Sequence, residues 1–84
     1  MKIKSFNEMV QEELKSARIK HGKIQSIHEG YSVLLEEIDE VWDLVKKKTE
    51  ERNLKHLLKE LIQCGAMCQK MAEDVVVPFI NKKK

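Results

Sequence analysis

This sequence has little of what interrupts a helix. It holds one proline and three glycines in 84 residues, far short of the turn signals that a small all-β domain needs roughly every 8–12 residues. Aromatic residues make up 5% of the chain, which disfavours a nucleic-acid binder built on stacking platforms. Two cysteines are no disulfide framework and suit a reducing compartment. No apolar run approaches the ~18–20 residues that a membrane span requires, and the opening Met-Lys-Ile-Lys-Ser leads into a charged stretch rather than a signal-peptide core. A cytoplasmic protein without membrane association is the expectation. What the chain does have is 36% charged and 42% hydrophobic residues, too apolar and too well patterned for a disordered segment. The length allows one domain. A core of this size rarely supplies more than ~3–5 kcal/mol, so an oligomer is expected.

The net charge of +2 conceals an acidic middle, with six acids and no base from Glu29 to Asp43 and basic segments on either side. A nucleic-acid binder would gather its bases on one surface with a reading element. An acidic centre flanked by cations suits a metal site with phosphate contacts nearby, and suits equally a solvated, salt-bridged helix.

Period and capping signals give three helices. Ser5-x-x-Glu8 is a capping box, and Ile3, Phe6, Val10, Leu14 and Ala17 recur around it at helical spacing, so helix 1 is predicted over about 6–21 and stops at Gly22. Ser26-x-x-Glu29 opens helix 2, predicted over 27–48, with a core stripe of Ile27, Tyr31, Leu34, Leu35, Ile38, Val41, Trp42 and Val45. Helix 3 is predicted over 53–77, with a stripe of Leu54, Leu57, Leu58, Leu61, Cys64, Cys68, Ala72, Val75 and Val76, ended by Pro78. Residues 81–84 read as a frayed basic terminus. The class is all-α: a three-helix subunit in which helices 2 and 3, joined by a short connection, form an antiparallel hairpin, and whose bundle is completed by oligomerisation.

At about 100° per residue, with the core faces centred on Ile38 and Leu61, Glu37 and Glu60 fall on one shoulder of each helix and Glu40 and Gln63 slightly beyond. In an antiparallel hairpin Glu40 comes level with Glu60 and Glu37 with Gln63. Carboxylates converging from two elements provide the hard oxygen ligands that a divalent ion needs. Val33, Leu44, Met67 and Met71 lie on the same shoulder, as in a partly covered groove.

These residues resemble the MazG-like all-α nucleoside triphosphate pyrophosphohydrolases, in particular the small phage-type forms. The likeness covers roughly residues 12–76 and rests on Ser26-Ile27-His28-Glu29-Gly30-Tyr31, Leu35-Glu36-Glu37-Ile38-Asp39-Glu40 and Glu60-Leu61-Ile62-Gln63. The family's hallmark is Glu-Glu-x-x-Glu followed further along by Glu-x-x-Asp. Glu36, Glu37, Glu40 and Glu60 match it, and Gln63 stands where the Asp is expected. The resemblance implies Mg²⁺-dependent hydrolysis of a (deoxy)nucleoside triphosphate to monophosphate and pyrophosphate, with Mn²⁺ as a substitute ion, in a homodimer or homotetramer. Metal ligands would be Glu37, Glu40, Glu60 and Gln63, and Glu36 would activate the water. Lys15, Arg18, Lys20 and Lys23 are candidates for the triphosphate, and His56 for substrate contact. The competing expectation is a non-catalytic helical oligomerisation or adaptor protein with a degenerate metal site, which Gln63 favours.

The remaining residues read more plainly. His21 continues the helix 1 core stripe, and His28 belongs to the first turn of helix 2. Cys64 and Cys68 lack the ligand order of a zinc site and read as buried free thiols. Trp42 reads as a packing residue, and Val75–Ile80 as a segment that docks on the bundle or on a partner.

Overall fold

The computed structural model describes residues 4–82. Ile3, Lys83 and Lys84 lie outside the described residues. The fold is all-helical: α1 spans Phe6–His21, α2 Ile27–Val45 and α3 Leu54–Met71. A single 3₁₀ turn, Thr49–Glu51, lies in the connection between α2 and α3. A π-helical turn, Ala72–Val76, follows α3 and leads directly into α4, Val77–Lys82.

Ser5 and Ser26 cap the helices as predicted, and Asn53, expected as the first residue of helix 3, is its cap instead. Ser5 Oγ accepts the Glu8 amide at 3.1 Å, Ser26 Oγ the Glu29 amide at 3.0 Å, and Asn53 Oδ1 the His56 amide at 3.1 Å. Each satisfies one of the donors that a helix start leaves without a partner. Gly22 ends α1 at φ 69°, where a side chain would be strained, and its amide donates to the Arg18 carbonyl.

Two predicted ends are corrected. Helix 2 stops at Val45 rather than at residue 48, because the Arg52 guanidinium closes on the Val45 carbonyl at 2.7 and 3.1 Å. Lys46–Lys48 therefore lie beyond the helix rather than in its last turn. Pro78 does not end the helical path. The Val77 amide donates five residues back, to Ala72, and this wider turn lets the proline ring follow in the first turn of α4, where its missing N–H costs least. Asn81 and Lys82 are thus helical rather than frayed.

α3 is the spine, and both α1 and α2 pack on it. Val10, Leu14 and Ala66 form the core cluster, with Ile62 beside it. Gly65 lets Val10 and Phe6 approach; a Cβ there would meet the Val10 methyl at 3.0 Å. Gly30 does the same for α2, since a Cβ would lie 2.8 Å from Met71 Cγ.

The expected core stripes of helices 2 and 3 are rotated in the structure. Ile27, Tyr31, Leu35, Ile38, Trp42 and Val45 are exposed, Trp42 to 59%, whereas Gly30 and Leu44 are buried and Glu37 is half-buried. On α3, Leu54 and Leu61 are exposed and Glu60, Ala66 and Lys70 are buried. Cys68 is exposed and Cys64 half-buried, which corrects the expectation of two buried thiols. The physical reason is that α2 has apolar residues on two faces. The shoulder that carries Gly30, whose missing side chain makes room for Met71 at the end of α3, permits a closer approach than the bulkier stripe does.

Asp74 ties the ends of these elements together. Its Oδ1 accepts Arg18 Nη1 at 2.5 Å and its Oδ2 accepts the Ile24 amide at 2.9 Å. Lys70 Nζ stands 3.5 Å away. Arg18 also reaches Glu73 at 2.8 Å. Burial alone would raise the Asp74 pKa, but the Arg18 hydrogen bond, the Ile24 amide and the charges of Arg18 and Lys70 outweigh it and hold the carboxyl below its ordinary value. The folded state therefore binds this proton less readily than the unfolded chain. The stabilisation is present above the ordinary carboxylate pKa and is lost as pH falls through the depressed one. Asp74→Ala should destabilise the protein by about 3–5 kcal/mol, the usual cost of removing one partner of a buried ion pair, and should flatten the acid limb of stability against pH. Urea titrations of both proteins at several pH values measure this; a difference below about 1 kcal/mol would show that Asp74 is not a tie.

Candidate functional site

The rotation of α2 brings its acidic shoulder against α3. Glu37 and Glu40, one helical turn apart, each offer a carboxylate oxygen to a cluster completed by Glu60, with all three oxygens within 4.8 Å of one another. Glu60 is buried, Glu37 half-buried and Glu40 exposed. Oriented to satisfy both neighbours, the Gln63 amide places Nε2 2.8 Å from Glu37 Oε2 and 3.1 Å from Glu60 Oε2. His56 Nε2 lies 3.4 Å from Glu60 Oε1, one turn earlier on α3.

Three carboxylates this close cannot all ionise freely. Burial, then the charges of Glu40 and Glu60, push Glu37 up to about 7. Glu40 is raised first by the hydrogen bond it shares with Glu60 and then by that residue's charge. The Cys64 thiol is raised as well, by burial and then by the charge of Glu37. Crowded oxygen donors from two helices form a set that could hold a divalent cation, which would relieve the repulsion.

The cluster sits between two clefts. One, of about 390 Å³, runs toward α1 and is lined by Glu36 and Glu37, by Gln63 and Met67, and by His21, Lys23 and Lys70. The other, of about 370 Å³, opens on the opposite side and is lined by Glu40, Asp43, Lys47, His56 and Glu60.

Of the residues singled out from the sequence, Glu37, Glu40, Glu60, Gln63 and His56 come together, and Glu36 lines the adjoining cleft. Lys23 lines the same cleft. Arg18 is engaged with Asp74 and Glu73. Lys15 and Lys20 are exposed on α1 and line neither cleft. His21 is exposed and borders the first cleft rather than extending the core, because the chain turns away at Gly22. Sequence reasoning missed Lys70 and Lys47. Lys70 had a signal: it lies seven residues after Gln63 and so on the same face of the helix.

Comparison with models of known protein families, with curated proteins and with solved structures gives no match for this chain.

Because its pKa is raised from 4.5 to about 7, Glu37 holds its proton in the folded state over a range where the unfolded chain has lost it. Its contribution to stability therefore falls as pH rises between those values. Glu37→Gln should remove that descent in a plot of melting temperature against pH, and be at least as stable as the wild type at pH 8 without metal. A wild-type curve that is flat over this window would show that the carboxylates do not crowd one another.

Proposed function

We propose that this chain is a divalent-metal-dependent nucleoside triphosphate pyrophosphohydrolase of the MazG-like type. The observation that carries the proposal is the convergence of Glu37, Glu40 and Glu60 within 4.8 Å, on the positions that match the family's acidic motif. The antiparallel α2/α3 hairpin belongs to this reading and is supported by the order of the contacts, Gly30 with Met71, Glu37 with Gln63 and Glu40 with Glu60.

Glu37, Glu40 and Glu60 would hold the ion. Bound Mg²⁺, or Mn²⁺ in its place, would offset the charge of the phosphate oxygens. Gln63 holds Glu37 and Glu60 in place through its amide N–H, and His56 braces Glu60 from the other side. Glu36, one residue from Glu37 and on the wall of the cleft, is the carboxylate that orients the attacking water and takes its proton. Positioning and charge stabilisation do most of the work in phosphoryl transfer, which suits a site built of carboxylates.

The exposed apolar stripe of α2, from Ile27 through Trp42, repeats at coiled-coil spacing and supports a homodimer or homotetramer in which a second subunit covers it. A second reading, a helical oligomerisation or adaptor protein, is favoured by one observation. The Gln63 amide satisfies two of the carboxylates as it would in a site that binds no metal.

A panel of nucleoside and deoxynucleoside triphosphates with Mg²⁺ distinguishes the two. Turnover should release pyrophosphate, and Glu40→Gln should reduce kcat by at least about 100-fold, in line with the loss of a charge-stabilising group. Orthophosphate release would contradict the reaction type, and no turnover across the panel would favour the adaptor.

Light scattering should return a mass well above 9.9 kDa, and Trp42→Lys with Ile38→Lys should shift the protein to monomer. Unchanged mass in that double variant would move the interface elsewhere.

A further inference from the structure

The helical path beyond α3 carries an apolar surface that the chain leaves uncovered. Val76, Phe79 and Ile80 stand at i, i+3 and i+4, the spacing that puts side chains on one face of a helical turn. All three are exposed, Phe79 to 53% and Ile80 to 57%, and so is Val77 beside them. Large apolar side chains left in water as a group mark a contact surface, which single scattered exposures do not. Phe79 and Ile80 line neither of the clefts that flank the carboxylates.

The rim of this surface is basic. Lys82-Lys83-Lys84 follows it directly in the sequence, and no acid occurs after Asp74. Lys82 also shares a shallow cleft of about 220 Å³ with Phe79 and with Lys23 from the α1–α2 connection. Lys23 and Lys82 are both exposed, and neither has an ion pair among the described residues. The acids of this end are engaged elsewhere. Arg18 holds Glu73 and Asp74, and Glu29 accepts the Gln25 amide at 3.2 Å.

A partner for this surface must be anionic and must also bury apolar side chains. A nucleic-acid backbone meets the first requirement but leaves Val76 and Ile80 in water. A bilayer with anionic lipids meets both: its headgroups attract lysines, and the boundary beneath them accepts an apolar face. The exposed stripe of α2 does not compete for such a bilayer, because six acids and no base lie along it from Glu29 to Asp43. No helix of the described residues is long and apolar enough to cross a membrane, so the contact is with the interface alone.

We infer that the α4 face is a peripheral docking surface for an anionic lipid bilayer. Phe79 and Ile80 enter the boundary between headgroups and acyl chains, and Lys23, Lys82 and the two lysines after it supply the attraction. Both parts are needed, since one weak anchor alone gives only marginal, reversible attachment. The expectation of no membrane association thereby narrows to the absence of a spanning segment.

The test is co-sedimentation with vesicles of phosphatidylcholine alone and of phosphatidylcholine mixed equally with phosphatidylglycerol. Wild-type protein should bind the mixed vesicles, release them as salt is raised, and leave the neutral ones. Phe79→Ser with Ile80→Ser should bind the mixed vesicles at least about tenfold more weakly, the scale of one large apolar side chain kept out of the boundary. Lys82→Gln with Lys83→Gln and Lys84→Gln should bind at least about 50-fold more weakly, at about fivefold for each lysine. Both variants change exposed or terminal positions and should keep the wild-type melting curve; if the apolar variant fails to fold, the lysine variant decides.

No binding to the mixed vesicles, equal binding to both kinds, or unchanged affinity in the folded variants overturns the docking surface. Two further results overturn it by naming another occupant. Binding of a polyuridylate probe without binding of vesicles assigns the lysines to nucleic acid. A smaller mass of the Phe79→Ser, Ile80→Ser variant in light scattering, with no vesicle binding by the wild type, assigns the apolar face to a second copy of the chain.

Discussion

One buried carboxylate holds the architecture together. Asp74 accepts from the end of α1 through Arg18 and from the α1–α2 connection through the Ile24 amide, and it faces Lys70 on α3. The apolar core of Val10, Leu14 and Ala66 joins α1 to α3 but does not reach this far along the bundle. Together with the buried Ile24 and Val75 beside it, Asp74 fixes where the chain leaves α1 and enters α2. The position of Lys23, next to the Ile24 amide that Asp74 accepts, follows from it. Such a tie is costly to build, since burial works against the charge, and it is maintained by two strong donors.

The helices were legible because their signals are local. Ser5 and Ser26 cap as their spacing implies, and Gly22 stops α1 as expected. Which face of each helix points inward was less legible. Apolar periodicity identifies a stripe that avoids water, but not whether the same chain covers it. On α2 the stripe centred on Ile38 is the wider apolar face and is left exposed, while the narrower face with Gly30 packs against Met71. A glycine among large residues marks a place where two backbones come close, a cue the reading centred on Ile38 did not use. Pro78 misled for a related reason. A proline rule written for regular helices does not anticipate a turn that bonds five residues back.

The acidic cluster was legible from spacing because matched i,i+3 pairs on two helices stay together through the rotation: Glu37, Glu60 and Gln63 turn inward, with Glu40 at the exposed edge. The cationic side of the site was not. Arg18 carries the same charge as Lys23, and nothing in sequence spacing says that a carboxylate 56 residues away claims one and not the other. Lys70 was overlooked because a lysine on an apolar face reads as a side chain that snorkels to solvent, and here it is enclosed.

The π-helical turn at Ala72–Val76 holds one residue more than an α-helical turn would need to cover the same ground. Excising any single residue from it would let the backbone relax into a continuous helix at little local cost. Deleting Ala72 or Glu73 would, however, shorten the four-residue step between Lys70 and Asp74 and part that pair. The region is therefore tolerant of substitution in its exposed positions and intolerant of changes in length, a pattern that a library of single-codon deletions would display as a gap bounded by α3 and α4.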